Sequence, residues 1–145
     1  MSDWTRVDTK RGASVRVLQA GAGPDVVLVH GAGGVEGAYD ALIERLASAF
    51  RVHAPELPGY GESTGEELLE DMLDFTLHGW DVVDALGVDR PHLVAHSMGG
   101  MIAAEMACIE PRRPRSLSLL APAGLWLDEH PIADIFAMLP QELPA

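Results

Sequence analysis

The chain has 145 residues, 48% of them hydrophobic, which predicts one packed core and excludes a disordered chain. Its 22 acidic and 10 basic residues give a formal net charge of -12. Such a surface repels phosphate backbones and anionic headgroups, so nucleic acid and acidic membranes are excluded as expected partners.

The N-terminal stretch "MSDWTRVDTKRG" has neither the apolar core nor the small-residue cleavage site of a signal peptide. No apolar run approaches the ~20 residues of a membrane span, so a cytoplasmic location is expected. "TRVDTKRGASVRVLQAG" reads as two short strands joined by a tight turn at Arg11-Gly12, with Val15 and Val17 alternating against Arg16 and Leu18 as in a half-exposed edge hairpin. "VVLVH" (26–30) is a continuous apolar run, as in a strand buried on both faces. A glycine-rich loop, "GAGGVEGAY", follows. Leu42, Ile43, Leu46 and Ala49 then recur at helical spacing.

"RVHAPEL" is a strand that closes in the turn "PGYGEST". Thr64 and Glu67 make a capping-box pattern, which predicts a helix from there to about Leu86, with Leu69, Met72, Leu73, Thr76, Trp80 and Val83 on one side and Gly87 at its C-terminal cap. The acids Glu66, Glu67, Glu70, Asp71 and Asp74 suit a solvated face near a helix N-terminus rather than a metal site. "PHLVAH" (91–96) is a second buried strand, leading into a helix from about Met98 to Glu110 that Pro111 stops. Cys108, the single cysteine, rules out an intrachain disulfide and reads as a small buried hydrophobe. "SLSLLAP" (116–122) is a third buried strand, and the proline-rich apolar tail after it reads as one or two short helices. The alternation implies an α/β fold, a mostly parallel sheet flanked by helices.

The chemistry gathers at "LVAHSMGGMIAAE" (93–105). A serine hydroxyl becomes a useful nucleophile only when it is exposed, aimed and deprotonated by a neighbour. A sharp strand-to-helix turn supplies the aim but leaves room only for small residues two positions either side, here Ala95 and Gly99. That turn also puts the N–H of Met98 at a helix N-terminus, where it can face a developing oxyanion. The competing reading of Ser97 is a helix N-cap. "VLVHGAGG" places a glycine-rich loop after a central strand, suited to a second oxyanion donor from the backbone of Ala32 or Gly33. A dinucleotide loop does not fit, because the third glycine of its spacing would fall on Glu36, and no Walker lysine follows.

"HGAGG" (30–34), "LPGYGES" (57–63) and "AHSMGG" (95–100), in this order and spacing, resemble the α/β-hydrolase superfamily, serine-nucleophile branch, over about residues 13–126. The family usually has aspartate where Glu56 stands, a departure at a structural turn. The resemblance implies that Ser97 is the nucleophile and that Met98 and Ala32 (or Gly33) hold the oxyanion. It implies no cofactor. Serine speaks against the dehalogenase and epoxide-hydrolase branches, which use aspartate. The resemblance divides the chain into the N-terminal part of the core, 1–122, and the start of a helical lid, 123–145, where Trp126, Phe136 and Met138 suggest a hydrophobic entry.

The family order of triad residues is serine, acid, histidine. His130 is the only histidine after Ser97, and it stands too early and too close to Asp128 to match. His96 is expected to point away from its neighbour Ser97 by strand alternation, and His30 to brace the oxyanion loop. His53, His78 and His92 carry no partner motif, and no metal-ligand spacing occurs. The expectation is therefore a truncated hydrolase whose acid and histidine lie outside the chain, with an unpaired sheet edge after "SLSLLAP". The expected substrate is a small or medium apolar ester or related acyl compound. Carbon–carbon bond hydrolysis and an inactive ligand-binding domain are the alternatives, and oligomeric state is left open.

Overall fold

The computed structural model describes residues 2–131. Six strands form one sheet: β1 (Ser2–Asp8), β2 (Ser14–Gly21), β3 (Asp25–Val29), β4 (Arg51–Pro55), β5 (His92–His96) and β6 (Ser116–Leu120). Three helices, α1 (Asp40–Ala47), α2 (Met72–Ala85) and α3 (Met98–Ile109), connect them. The spatial order is β1-β2-β4-β3-β5-β6. β2 pairs antiparallel with β1 and β4, while β4, β3, β5 and β6 run parallel. This is the α/β architecture that alternating strands and helices imply.

Strand alternation divides the core into two layers. Val27 and Val29 of β3 and Leu93 and Ala95 of β5 pack with Trp80 and Val83 of α2 and with Ile102, Ala103 and Met106 of α3. Leu28 points the other way and joins Ile43 of α1, Val52 and Leu18. The β1–β2 hairpin turns through Gly12 at φ 96°, and Thr9 fixes the turn with backbone and hydroxyl bonds to Ala13. Only β1 is exposed at this edge. β2 lies inside the sheet, paired with β4 on its other edge, and buries Val15 and Val17 against Val82 on one face and Leu18 in the Ile43 layer on the other.

Three expectations are corrected. No helix grows from Thr64: the Thr64 N–H is bonded to the carbonyl of Ser14, Gly65 follows at φ 102°, and Glu66–Leu68 makes only a 3-10 turn. α2 begins later, capped by Asp71, whose carboxylate accepts the N–H groups of Leu73 (2.8 Å) and Asp74 (3.1 Å). The later start leaves Leu73 exposed. Gly87, at φ 69°, does close α2, with its N–H on the carbonyl of Asp84. Cys108 is exposed rather than buried, because α3 turns Ile102, Ala103 and Met106 inward and Cys108 outward. β6 is largely exposed, with Leu119 and Leu120 open to solvent, because among the described residues it pairs only with β5. Phe136 and Met138 lie outside the described residues.

Candidate active site

β3 and β5 are adjacent and parallel, so their C-terminal ends deliver two loops to the same place. This is where ligands bind in open parallel sheets. β5 ends at His96, and Ser97 then takes φ 52° and ψ -120° before α3 begins at Met98. A non-glycine residue in that region is strained by about 1–3 kcal/mol. The surroundings hold it there. The Ser97 N–H donates to the carbonyl of Leu120 (3.1 Å), and its own carbonyl accepts from Gly100 (2.9 Å), Met101 (3.2 Å) and Ala123 (2.9 Å). Ser97 stands at the N-cap position of α3, but its side chain makes no capping bond.

Two glycines permit the approach of the chain segments. A Cβ on Gly99 would run into the carbonyl oxygens of Val29 and His30, and one on Gly31 would stand 3.0 Å from Cβ of Ser97 and 3.1 Å from Nδ1 of His96. Gly31 starts a tight turn closed by the Gly34 N–H on the Gly31 carbonyl (3.2 Å). Ala32 and Gly33 are its exposed central residues, with N–H groups outside that bond. Met98 is the first residue of α3, where N–H groups have no acceptor within the helix, and its side chain packs on the core.

His30 is fully buried and holds this loop to the next one. Its Nδ1–H donates to the carbonyl of Gly31 (2.6 Å), and its Nε2 accepts the N–H of Leu57 (2.8 Å). Burial lowers its pKa and so favours the neutral ring, against the opposing pull of the hydrogen bond to the Gly31 carbonyl. The following turn closes on Glu56, 2% exposed, which accepts the N–H of Glu62 (3.2 Å) and pairs with Arg16 at 3.7 Å.

Tyr39, at the N-terminal edge of α1, escaped the sequence reading. Its hydroxyl accepts the N–H of Gly31 (2.9 Å) and bonds Nδ1 of His96 (2.8 Å). Its sequence signal is slight, an aromatic residue at a loop–helix junction. A cleft of about 480 Å³ is lined by Gly31, Ala32, Gly33, Tyr39, His96 and Ser97 together with the apolar residues Ala38, Leu42 and Leu120. His96 and Ser97 therefore share one cleft, contrary to the opposite-face expectation. The positive φ of Ser97 breaks the strand alternation on which that expectation rests.

The remaining candidates do not converge on the cleft. Leu127 and His130 close a small exposed turn, and Asp128 accepts from Nε1 of Trp126 (2.9 Å) rather than meeting His130. His53 does have partners: it bonds Asp25 (2.9 Å) and Gln19 (2.9 Å), at the start of β3 and so at the far end of the sheet. His92 bonds Ser116 (2.8 Å), and His78 is buried in α2. Among the described residues no three metal-ligating side chains are grouped to hold an ion, and no helix is long and apolar enough to cross a membrane.

A family model described as alpha/beta hydrolase fold matches residues 24–142. A pimeloyl-[acyl-carrier protein] methyl ester esterase of Aeromonas hydrophila is 36% identical over 120 residues, which are 81% of this chain and 46% of that protein. A 2-hydroxy-6-oxo-6-phenylhexa-2,4-dienoate hydrolase of Burkholderia cepacia is 32% identical over 133 residues, 88% of this chain and 44% of that protein. Among solved structures, naproxen esterase from Bacillus subtilis superposes with a TM-score of 0.80 at 26% identity, over 88% of this chain and 45% of that one. The chain thus spans less than half the length of these relatives.

Proposed function

The chain belongs to the alpha/beta hydrolase fold family, and from that footing we propose that it carries the nucleophile half of a serine hydrolase. The observation that carries this reading is Ser97 itself: a strained serine, held by four backbone bonds, with its hydroxyl uncapped at a cleft. Its Oγ attacks the carbonyl carbon of an acyl substrate, and the carbonyl oxygen becomes an oxyanion. The N–H groups of Met98 and Ala32, with Gly33 as the alternative donor, receive that charge. A histidine and an acid from outside these 145 residues take the proton and orient the base. Residues 1–122 are the catalytic core's N-terminal part, and 123–145 start its lid.

The apolar residues Ala38, Leu42 and Leu120 in the cleft lining favour a small or medium apolar ester or related acyl compound. The second reading is cleavage of a carbon–carbon bond on the same scaffold, and similarity to the 2-hydroxy-6-oxo-6-phenylhexa-2,4-dienoate hydrolase of Burkholderia cepacia, named for a substrate that is not an ester, supports it. A fluorophosphonate probe tests the serine reading. Labelling of the Ser97 peptide is expected to be slow in the 145-residue chain, faster with added imidazole as a stand-in base, and absent in Ser97→Ala. A folded chain that stays unlabelled in imidazole favours an inactive ligand-binding domain.

A further inference from the structure

Among the described residues two non-glycine residues have positive φ, Ser97 at 52° and Ala121 at 41°. They are distant in sequence but joined in space. The Ser97 N–H donates to the carbonyl of Leu120 (3.1 Å), and the Ser97 carbonyl accepts the N–H of Ala123 (2.9 Å). Leu120 and Ala123 bracket Ala121, so the chain leaving β6 grips Ser97 by both of its backbone polar groups. An extended chain would carry Ala123 onward in the strand direction and away from Ser97. A left-handed residue at 121 turns it back, so that both bonds fall on one residue.

The same segment packs over the first turn of α3. A Cβ on Gly100 would stand 2.8 Å from Cβ of Pro122, and one on Gly124 would stand 2.6 Å from Sδ of Met101. Gly100 and Met101 are the residues whose own N–H groups bond the Ser97 carbonyl. A left-handed alanine is strained and persists only where its surroundings over-determine it. Here the bonds to Ser97 and the seat of Pro122 against Gly100 supply that constraint. Ala121 is exposed, so what it contributes is the shape of its backbone rather than the packing of its methyl group.

We propose that Ala121 is a positioning residue for the nucleophile: its left-handed backbone folds Leu120–Ala123 into a clasp that holds Ser97 in its strained conformation. Ala121 touches no reacting atom and acts through the carbonyl of Leu120 and the N–H of Ala123. The inference rests on the reading of Ser97 as the nucleophile and deepens it. The elbow is held from outside its own strand and helix, by the chain that leaves the sheet after β6.

Ala121→Asn and Ala121→Val separate backbone shape from bulk. Their side chains are of similar size and the position is exposed, but asparagine tolerates the left-handed region and β-branched valine does not. Amide hydrogen exchange at Ala123, read by NMR on the 145-residue chain, reports the clasp independently of any chemistry. Fluorophosphonate labelling in imidazole, at matched folded fractions, reports the hydroxyl as a maximal rate and a half-saturating probe concentration. Ala121→Gly and Ala121→Asn are expected to stay within about twofold of wild type in both measurements. Ala121→Val is expected to exchange the Ala123 N–H about tenfold faster and to lower the maximal labelling rate several-fold, with the half-saturating concentration unchanged. Equal behaviour of Ala121→Asn and Ala121→Val overturns the inference, and so does faster exchange in Ala121→Val with labelling unchanged. A wild-type Ala123 N–H that exchanges as fast as in a free peptide overturns it without recourse to any variant. If no form of the chain labels while exchange at Ala123 follows the series, the clasp stands and the serine reading falls.

Discussion

Nε2 of His30 accepts the backbone N–H of Leu57 at 2.8 Å, and Nδ1–H of the same ring donates to Gly31 at 2.6 Å. One buried imidazole thus ties the end of β3 to the turn after β4. Replacing His30 with alanine leaves a buried N–H at Leu57 without its acceptor and opens a cavity. A loss of about 2–4 kcal/mol is expected, read as a lower urea midpoint. His30→Asn, which keeps a shorter polar group, is expected to lose less.

Gly99 and Gly33 make a matched pair. A methyl on Gly99 meets the backbone carbonyls of Val29 and His30, which cannot move without shifting β3, whereas one on Gly33 meets nothing within 4 Å. Gly99→Ala is expected to destabilise by at least about 1–3 kcal/mol and to abolish labelling of Ser97. Gly33→Ala is expected to change stability by less than about 0.5 kcal/mol and to keep labelling, since its N–H remains. Urea titration of both variants, with labelling at matched folded fractions, checks the contrast.

Ser97 stores strain at φ 52°. Ser97→Gly relieves it, at the cost of a more flexible unfolded chain. A net gain of about 1 kcal/mol with complete loss of labelling is expected. A variant less stable than wild type would contradict the strained-elbow description.

His78 is 3% exposed, and burial pushes its pKa down to about 4, with Asp81 raising it and Arg11 lowering it further. The unfolded chain holds a proton on this ring below about pH 6.5, and the native chain only below about 4. Between these values the unfolded state binds more protons. The stability due to the neutral ring is therefore complete above about pH 6.5 and is lost as pH falls towards 4, by about 3 kcal/mol in all. In urea titrations across that window, His78→Leu is expected to flatten the decline. An unchanged slope would show that other groups cause it.

The elements that were legible in the sequence are those whose causes are local. "VVLVH" and "PHLVAH" read as buried strands because both their faces are covered, and Gly87 reads as a helix cap because α2 must stop there. The elbow was legible for the same reason: Ala95 and Gly99 answer a steric demand two residues from Ser97. What escaped depends on distant partners. Tyr39 and His96 are far apart in sequence and meet only when β3 and β5 pair. The Thr64 capping pattern is overruled by the bond from Thr64 to β2 and by Gly65. Cys108 needed the true face of α3, and the exposure of β6 follows from its pairing, among the described residues, with β5 alone. His96 was placed wrongly because the alternation was carried one residue past the strand end, onto Ser97, whose positive φ breaks it.

The most direct measurement is to trap the acyl group. The 145-residue chain is incubated with 4-nitrophenyl butyrate and mapped by peptide mass spectrometry. On the proposed reading the base is not among these 145 residues, so deacylation should be slow and one butyryl group is expected to accumulate on the peptide containing Ser97 and to be missing from Ser97→Ala. Butyrylation of other residues with Ser97 unmodified, or an identical pattern in Ser97→Ala, would contradict the assignment of Ser97 as the nucleophile.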